Sequence, residues 1–139
     1  MSNTFGNVYI HFVFSTKFRE SLLDSKLISL LSEHIKSNLF ENYRIKTLSV
    51  NGYKDHLHVL IIHNTDYLIP AIVKAIKGES SHWINSCHLC KNKFLWQEGY
   101  GVFSVSHSVV SELSKYIEDQ EKHHSSMSFN EETEKYFNI

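Results

Sequence analysis

The sequence predicts an α+β fold: a ferredoxin-like, or RRM-like, split β-α-β antiparallel sheet with helices packed on it, plus a tyrosine-bearing helix toward the C-terminus. Three observations carry this. Strand-like alternation occurs in "VYIHFVFST", "YRIKTLSVN" and "HLHVLII", helical spacing occupies the gaps before the second and after the third, and a fourth strand with a further helix closes the order β-α-β-β-α-β-α.

The first strand spans residues 8 to 16, is rich in β-branched and aromatic side chains, and is followed at once by Lys17 and Arg19. Asp24 is the expected N-cap of a helix running to about Phe40, on which Leu27, Leu30, Leu31, Ile35 and Leu39 fall at helical spacing. Residues 43 to 51 alternate as the second strand, and "NGYKD" turns tightly into the third, "HLHVLII", making a hairpin. Asp66 or Thr65 is the expected cap of the next helix, with Pro70 in its first turn, where a missing N–H costs little, and with Gly78 as a point of interruption. "NKFLWQEGYGVFSVS" supplies a loop or hairpin and the fourth strand. A third helix, expected at about 107–124 and capped by Ser106 or Ser108, precedes a polar joint and short terminal helix at 125–139.

With 139 residues and 42% hydrophobic content, the chain is expected to form one domain, 1–139, with a real core. No apolar run approaches the roughly 20 residues of a membrane span, and "MSNTFGNVYIHF" lacks a signal-peptide pattern, so a cytoplasmic protein with no membrane partner is expected. Cys87 and Cys90 form a lone C-x-x-C and read as two reduced thiols at a helix end; a zinc knuckle with His82 and His88 is the alternative. The net charge of -1 argues against unselective coating of nucleic acid. It hides a polarity, because residues 1 to 110 hold 11 Lys+Arg against 8 Asp+Glu and residues 111 to 139 hold 3 against 7.

Chemistry enters at "DHLHVL". On a strand, residues two apart share a face at about 6.5 to 7 Å, so His56 and His58 point the same way, opposite to Leu57, Val59 and Ile61. Two neighbouring imidazoles in an apolar setting are costly to bury unless hydrogen bonds or a metal satisfy them, and both readings stand at this point. His11 and His63 show that lone histidines on strands also occur in this chain. On the third helix, Val109, Leu113, Tyr116 and Gln120 form one stripe that begins apolar and ends polar. Tyr116 and Gln120 lie one turn apart, about 6 Å along the axis, so a phenol and a neutral oxygen ligand can present together; a tyrosine at the core edge is the plainer reading.

H-hydrophobic-H on a strand followed by Y-x-x-x-Q on a helix, together with "IHFVFSTKFR", "FLWQEGYGVFSVS" and "YIEDQEKHHSSMSF" in that order, resembles the HUH superfamily of single-strand DNA nucleases. Specifically it resembles the single-tyrosine transposases of minimal bacterial insertion sequences, relatives of the REP-associated tyrosine transposases. The likeness covers nearly the whole chain. It implies that His56, His58 and Gln120 hold one Mg²⁺ or Mn²⁺ and that Tyr116 is the nucleophile. It also implies a 5'-phosphotyrosine intermediate, a homodimer, and a substrate of single-stranded DNA with hairpins at the element ends. The tyrosine helix of one subunit could then serve the histidines of the same or of the other subunit.

The implied chemistry is coherent: a tyrosine of pKa near 10 needs a cation that polarises the phosphate, and no nucleotide cofactor is required. Two histidines and an amide carry no negative charge, so metal affinity without DNA is expected to be weak. Lys17, Arg19, Lys46 and Lys54 are candidates for phosphate contact, and Phe18, Tyr53, Trp96 and Tyr100 for base stacking. Gly99 and Gly101 mark either flexible backbone or tight turns before the tyrosine helix. Two other functions share these features: an HUH nickase or a domesticated palindrome-processing relative, with the same site, and a non-catalytic RRM-like nucleic-acid binder in which the histidines are structural.

Overall fold

The computed structural model describes residues 4–120. Its elements are β1 (Tyr9–Ser15), a 3-10 turn at Lys17–Arg19, α1 (Ser25–Tyr43), β2 (Lys46–Tyr53), β3 (His56–Ile62), α2 (Ile69–Ser86), β4 (Gly101–Val105) and α3 (Val110–Glu118). The strands form one sheet in the order β2-β3-β1-β4, every neighbouring pair antiparallel. This is the split β-α-β arrangement that the element order predicts. The terminal helix expected at 125–139, and residues 121–124 of the tyrosine helix, lie outside the described residues. Among the described residues no helix is long and apolar enough to cross a membrane.

The sheet has two unlike faces because side chains alternate along each strand. Ile10, Phe12 and Phe14 of β1 join Leu57, Val59 and Ile61 of β3 in the main core, closed by Leu27, Leu31, Ile35 and Leu39 of α1 and by Ile72, Ile76 and Ile84 of α2. The other face carries His11, His56 and His58, all fully buried. Here α3 lies across β2 and β3: the Ser49 hydroxyl donates to Glu118 Oε1 at 2.6 Å, and Asn51 Nδ2 donates to the Glu118 carbonyl at 2.9 Å.

Several boundaries differ from the sequence reading, each for a local reason. Asp24 does cap α1, accepting from the Leu27 N–H at 2.8 Å, but α1 continues to Tyr43 and ends on Arg44 in the left-handed region, φ 54°. β2 is therefore displaced to Lys46–Tyr53. Thr65 and Asp66 do not cap α2, because the helix starts only at Ile69 and its cap position is Leu68, which makes no side-chain bond; Asn64 Oδ1 accepts from the Asp66 N–H at 2.9 Å in a turn before it, and Pro70 sits in the first helical turn. Gly78 leaves α2 unbroken. Neither Ser106 nor Ser108 caps α3: the Ser106 side chain accepts from the Ser108 N–H at 3.3 Å in a preceding turn, and the helix begins three residues later than expected, after Val109.

The segment entering β4 is fastened rather than loose. Lys77 on α2 donates to the carbonyls of Gln97 and Gly99, both at 2.7 Å; Gly99 turns the chain at φ 86°, whereas Gly101 is the first residue of β4, paired with Val13. Trp96 is buried and donates from Nε1 to the Ser80 hydroxyl at 3.0 Å. It serves the core and cannot stack on an incoming base. Among the described residues no three His, Cys, Asp or Glu side chains converge on one point; Cys87 caps the C-terminal end of α2, and the two cysteines are not joined in a disulfide.

Gly52 sits where β2 comes closest to β3, so a Cβ there would overlap the carbonyl of His56, which is backbone and cannot swing away. Gly52→Ala is expected to destabilise the fold by about 1–3 kcal/mol, read as a lowered midpoint in chemical denaturation; a midpoint unchanged from the parent would contradict this packing.

Candidate active site

Register places the histidines. In the β1–β3 pairing Ser15 stands opposite His56 and Val13 opposite His58, and in the β2–β3 pairing Tyr53 and Asn51 stand opposite the same two. His56 and His58 therefore sit on the central strand β3 and share one face, their ring centroids 5.1 Å apart and nearly perpendicular. From above, α3 brings the polar end of its stripe. Gln120 is buried with Oε1 3.2 Å from His56 Nε2, and the Tyr116 ring lies edge-on to His58, 6.3 Å between centroids. The four residues singled out in the sequence converge within one chain, sixty positions apart.

The hydrogen bonds around His56 define what that contact needs. Asp55 Oδ1 lies 3.0 Å from His56 Nδ1, so Nδ1–H donates to the carboxylate and Nε2 faces Gln120 with its lone pair. The amide orientation follows from its other end, where Gln120 Nε2 donates to the Tyr116 carbonyl at 3.4 Å. Two lone pairs thus face each other, and a positive group between them, a second imidazole proton or a cation, makes the contact favourable. Two ligands at right angles on an ion with bonds of 2.0–2.1 Å stand about 3 Å apart, close to the spacing here. His56 and Gln120, with His58 beside them, fit a small divalent cation.

Asp55 is itself held. Burial pushes its carboxyl up, but the hydrogen bond from His56 and the Arg19 ion pair outweigh this and hold it below the ordinary range. Arg19 Nε meets Asp55 Oδ2 at 3.2 Å, reaching it from a turn in which Phe18 and Arg19 both adopt positive φ. Arg19 therefore supports the carboxylate that orients His56. The remaining candidates for phosphate contact divide: Lys17 and Lys54 are exposed at the same end of the sheet, around Asp55, whereas Lys46 pairs with Ile62 at the far end of β2. Seven residues of strand, about 23 Å, separate Lys46 from Tyr53, so it does not join the others. Phe18 is strongly exposed and Tyr100 partly so.

His11 was legible only as a lone strand histidine, yet its Nε2 lies 2.8 Å from His58 Nδ1. Burial first, then the neighbouring His58, hold it well below the ordinary histidine value, so it is neutral. His11 also lines, with Phe103, Val105, Val109, Leu113 and Tyr116, a cavity of about 370 Å³ that opens beside the tyrosine between β4 and α3.

Comparison with known proteins meets the same residues. The family model described as "Transposase IS200 like" matches residues 4–120, which includes both histidines, Tyr116 and Gln120. The chain belongs to the IS200-like transposase family. It is similar to the ISDra2 transposase TnpA of Deinococcus radiodurans, 27% identical over 123 residues that cover 83% of this chain and 87% of that protein. Among solved structures it resembles a candidate transposase from Deinococcus radiodurans R1, with TM-score 0.69, 25% identity, and coverage of 86% of this chain and 95% of that one. A REP-associated tyrosine transposase bound to a REP hairpin shares the fold, with TM-score 0.64 at 16% identity, over 91% of this chain and 76% of that one. IS200-like family membership makes this protein a transposase, an enzyme class that cuts and transfers DNA strands.

The site exists only while α3 is docked, and the docking of this short helix onto β2 is largely polar. Removing both anchors in Ser49→Ala/Asn51→Ala is expected to raise amide hydrogen exchange across 110–120 by about tenfold or more, while α1 keeps its protection. Equal change in both helices would show global loosening instead.

Proposed function

We propose that this transposase cleaves and rejoins single-stranded DNA at insertion-sequence ends through a covalent 5'-phosphotyrosine on Tyr116. The observation that supports it most is the approach of Tyr116 and Gln120, from α3, to His56 and His58 on β3. Nothing in a purely structural role for two buried histidines calls for a phenol and an amide from another element at that point.

His56, His58 and Gln120 would hold one Mg²⁺ or Mn²⁺, which when bound polarises the scissile phosphate and offsets the charge that develops on it. Asp55 keeps His56 in the tautomer that presents Nε2, and Arg19 steadies Asp55. Tyr116, half-buried at the rim of the cavity, loses its phenolic proton and attacks phosphorus. A tyrosine Oη–phosphorus bond forms as the bond to the 3'-oxygen breaks, and that oxygen takes up a proton and leaves as a free 3'-hydroxyl. The reverse step, attack of a different 3'-hydroxyl on the phosphotyrosine, joins a new strand and frees Tyr116 with no external energy source.

The substrate we assign is single-stranded DNA carrying hairpins near the element ends, with Lys17 and Lys54 beside the site as phosphate contacts and Phe18 as a stacking surface. Excision needs two cleavages and two joinings, so one tyrosine per chain implies a homodimer. Within one chain α3 already reaches its own β3, which supports action in cis in this arrangement. A sheet-surface binder of the RRM type fits less well. The face that would receive bases is covered by α3, and Trp96, one of its proposed stacking aromatics, is in the core.

Incubated with single-stranded DNA from both ends of its flanking element and Mg²⁺ or Mn²⁺, the parent protein is expected to form a denaturant-resistant adduct, and Tyr116→Phe none. An adduct that persists in Tyr116→Phe places the nucleophile elsewhere. Parent protein that retards the DNA on a native gel but never forms an adduct would favour the non-catalytic reading.

A further inference from the structure

Asp55 fixes the tautomer of His56; the Nδ1 of His58 meets another histidine, His11 Nε2 at 2.8 Å. The two rings are within 17° of parallel with centroids 5.1 Å apart, the geometry of imidazoles meeting edge to edge along an N–H···N line rather than face to face. Both are fully buried. The arrangement follows from register: Val13 stands opposite His58, and His11 is two residues earlier on the same face of β1, diagonal to His58 and close enough for a ring to cross. Phe103 of β4 packs against the far side of His11, 5.8 Å between centroids, and limits how the ring can turn.

A single proton lies between these two nitrogens. If His58 donates it from Nδ1, its Nε2 keeps a lone pair and can bind a cation. If His11 donates it from Nε2, His58 must carry its own proton on Nε2 and cannot. The Nε2–H form is the commoner one of an unconstrained neutral histidine, so a ligand that uses Nε2 needs an acceptor at Nδ1. We propose that His11 is that acceptor: a positioning residue that holds His58 in its Nδ1–H tautomer and aims Nε2 at the cation shared with His56 and Gln120. This deepens the metal reading given above and rests on it. The choice of a neutral ring rather than a second carboxylate matches its place, since His11 is deeper than Asp55 and an ionised group there would be expensive to desolvate.

The test is long-range ¹H–¹⁵N correlation of the histidine rings in full-length, metal-free, ¹⁵N-labelled protein, followed by titration with Mn²⁺. His58 is expected to show a protonated Nδ1 and an unprotonated Nε2. A parent spectrum with His58 protonated on Nε2 overturns the role of His11, and does so without any variant. In His11→Phe, which keeps a ring but offers no acceptor, His58 is expected to move to the Nε2–H form and Mn²⁺ affinity to fall by about 10- to 100-fold. His11→Gln, which restores an acceptor oxygen, is expected to recover part of both. An unchanged His58 tautomer and Mn²⁺ affinity in a folded His11→Phe overturns the proposal. If Mn²⁺ broadens neither His56 nor His58 while His58 is in its Nδ1–H form, the metal reading falls, and with it the purpose assigned to His11.

Discussion

The antiparallel register between β1 and β3 is the constraint on which everything else in this protein depends. Because strand side chains alternate, one register puts Phe12, Phe14, Leu57, Val59 and Ile61 against α1 and α2, and the same register puts His11, His56 and His58 together on the opposite face. A slip of one residue would send the histidines into the apolar core and the aromatics toward α3. The core therefore enforces the site: burial of large apolar side chains on one face fixes, to within one pleat, where three imidazoles stand on the other.

That division of labour sets unequal stabilities. The helices α1 and α2 are held by apolar packing, whereas α3 is short and rests on β2 through Ser49 and Asn51, with Ile117 as its one fully buried apolar side chain. A helix held by a few hydrogen bonds can be released at modest cost. For a transposase this matters, because the proposed nucleophile and one proposed ligand ride on the releasable element while the two histidines proposed as ligands stay on the rigid sheet.

Much of this was legible in the amino-acid sequence because it rests on local pattern. Alternation located the four strands, and β3 was read to the residue; helical spacing located three helices, and the stripe from Val109 to Gln120 lines the side of α3 that meets the histidines. Boundaries failed where a side-chain turn precedes a helix, as at Asn64 and Asp66, after which α2 begins only at Ile69 with Leu68 in the cap position. Partners failed where they depended on pairing between distant strands. His11 lies 47 positions from His58 and is joined to it only by register, so its own surroundings in the sequence show nothing but a strand. Arg19 was a candidate for phosphate contact because it is basic and follows a strand; its pairing with Asp55 depends on a turn that the sequence does not show. Trp96 stood as a candidate for stacking or for the core, because the sequence does not tell an aromatic on a loop from one folded back under α2.

A crystal of the metal-free protein soaked in Mn²⁺ and measured at a wavelength where manganese scatters anomalously tests the central claim most directly. One strong anomalous peak is expected about 2.0–2.4 Å from His56 Nε2, His58 Nε2 and Gln120 Oε1, with Tyr116 close enough to reach a phosphate bound there. A peak on other residues, or none at these three side chains in a crystal that binds Mn²⁺ elsewhere, would contradict it.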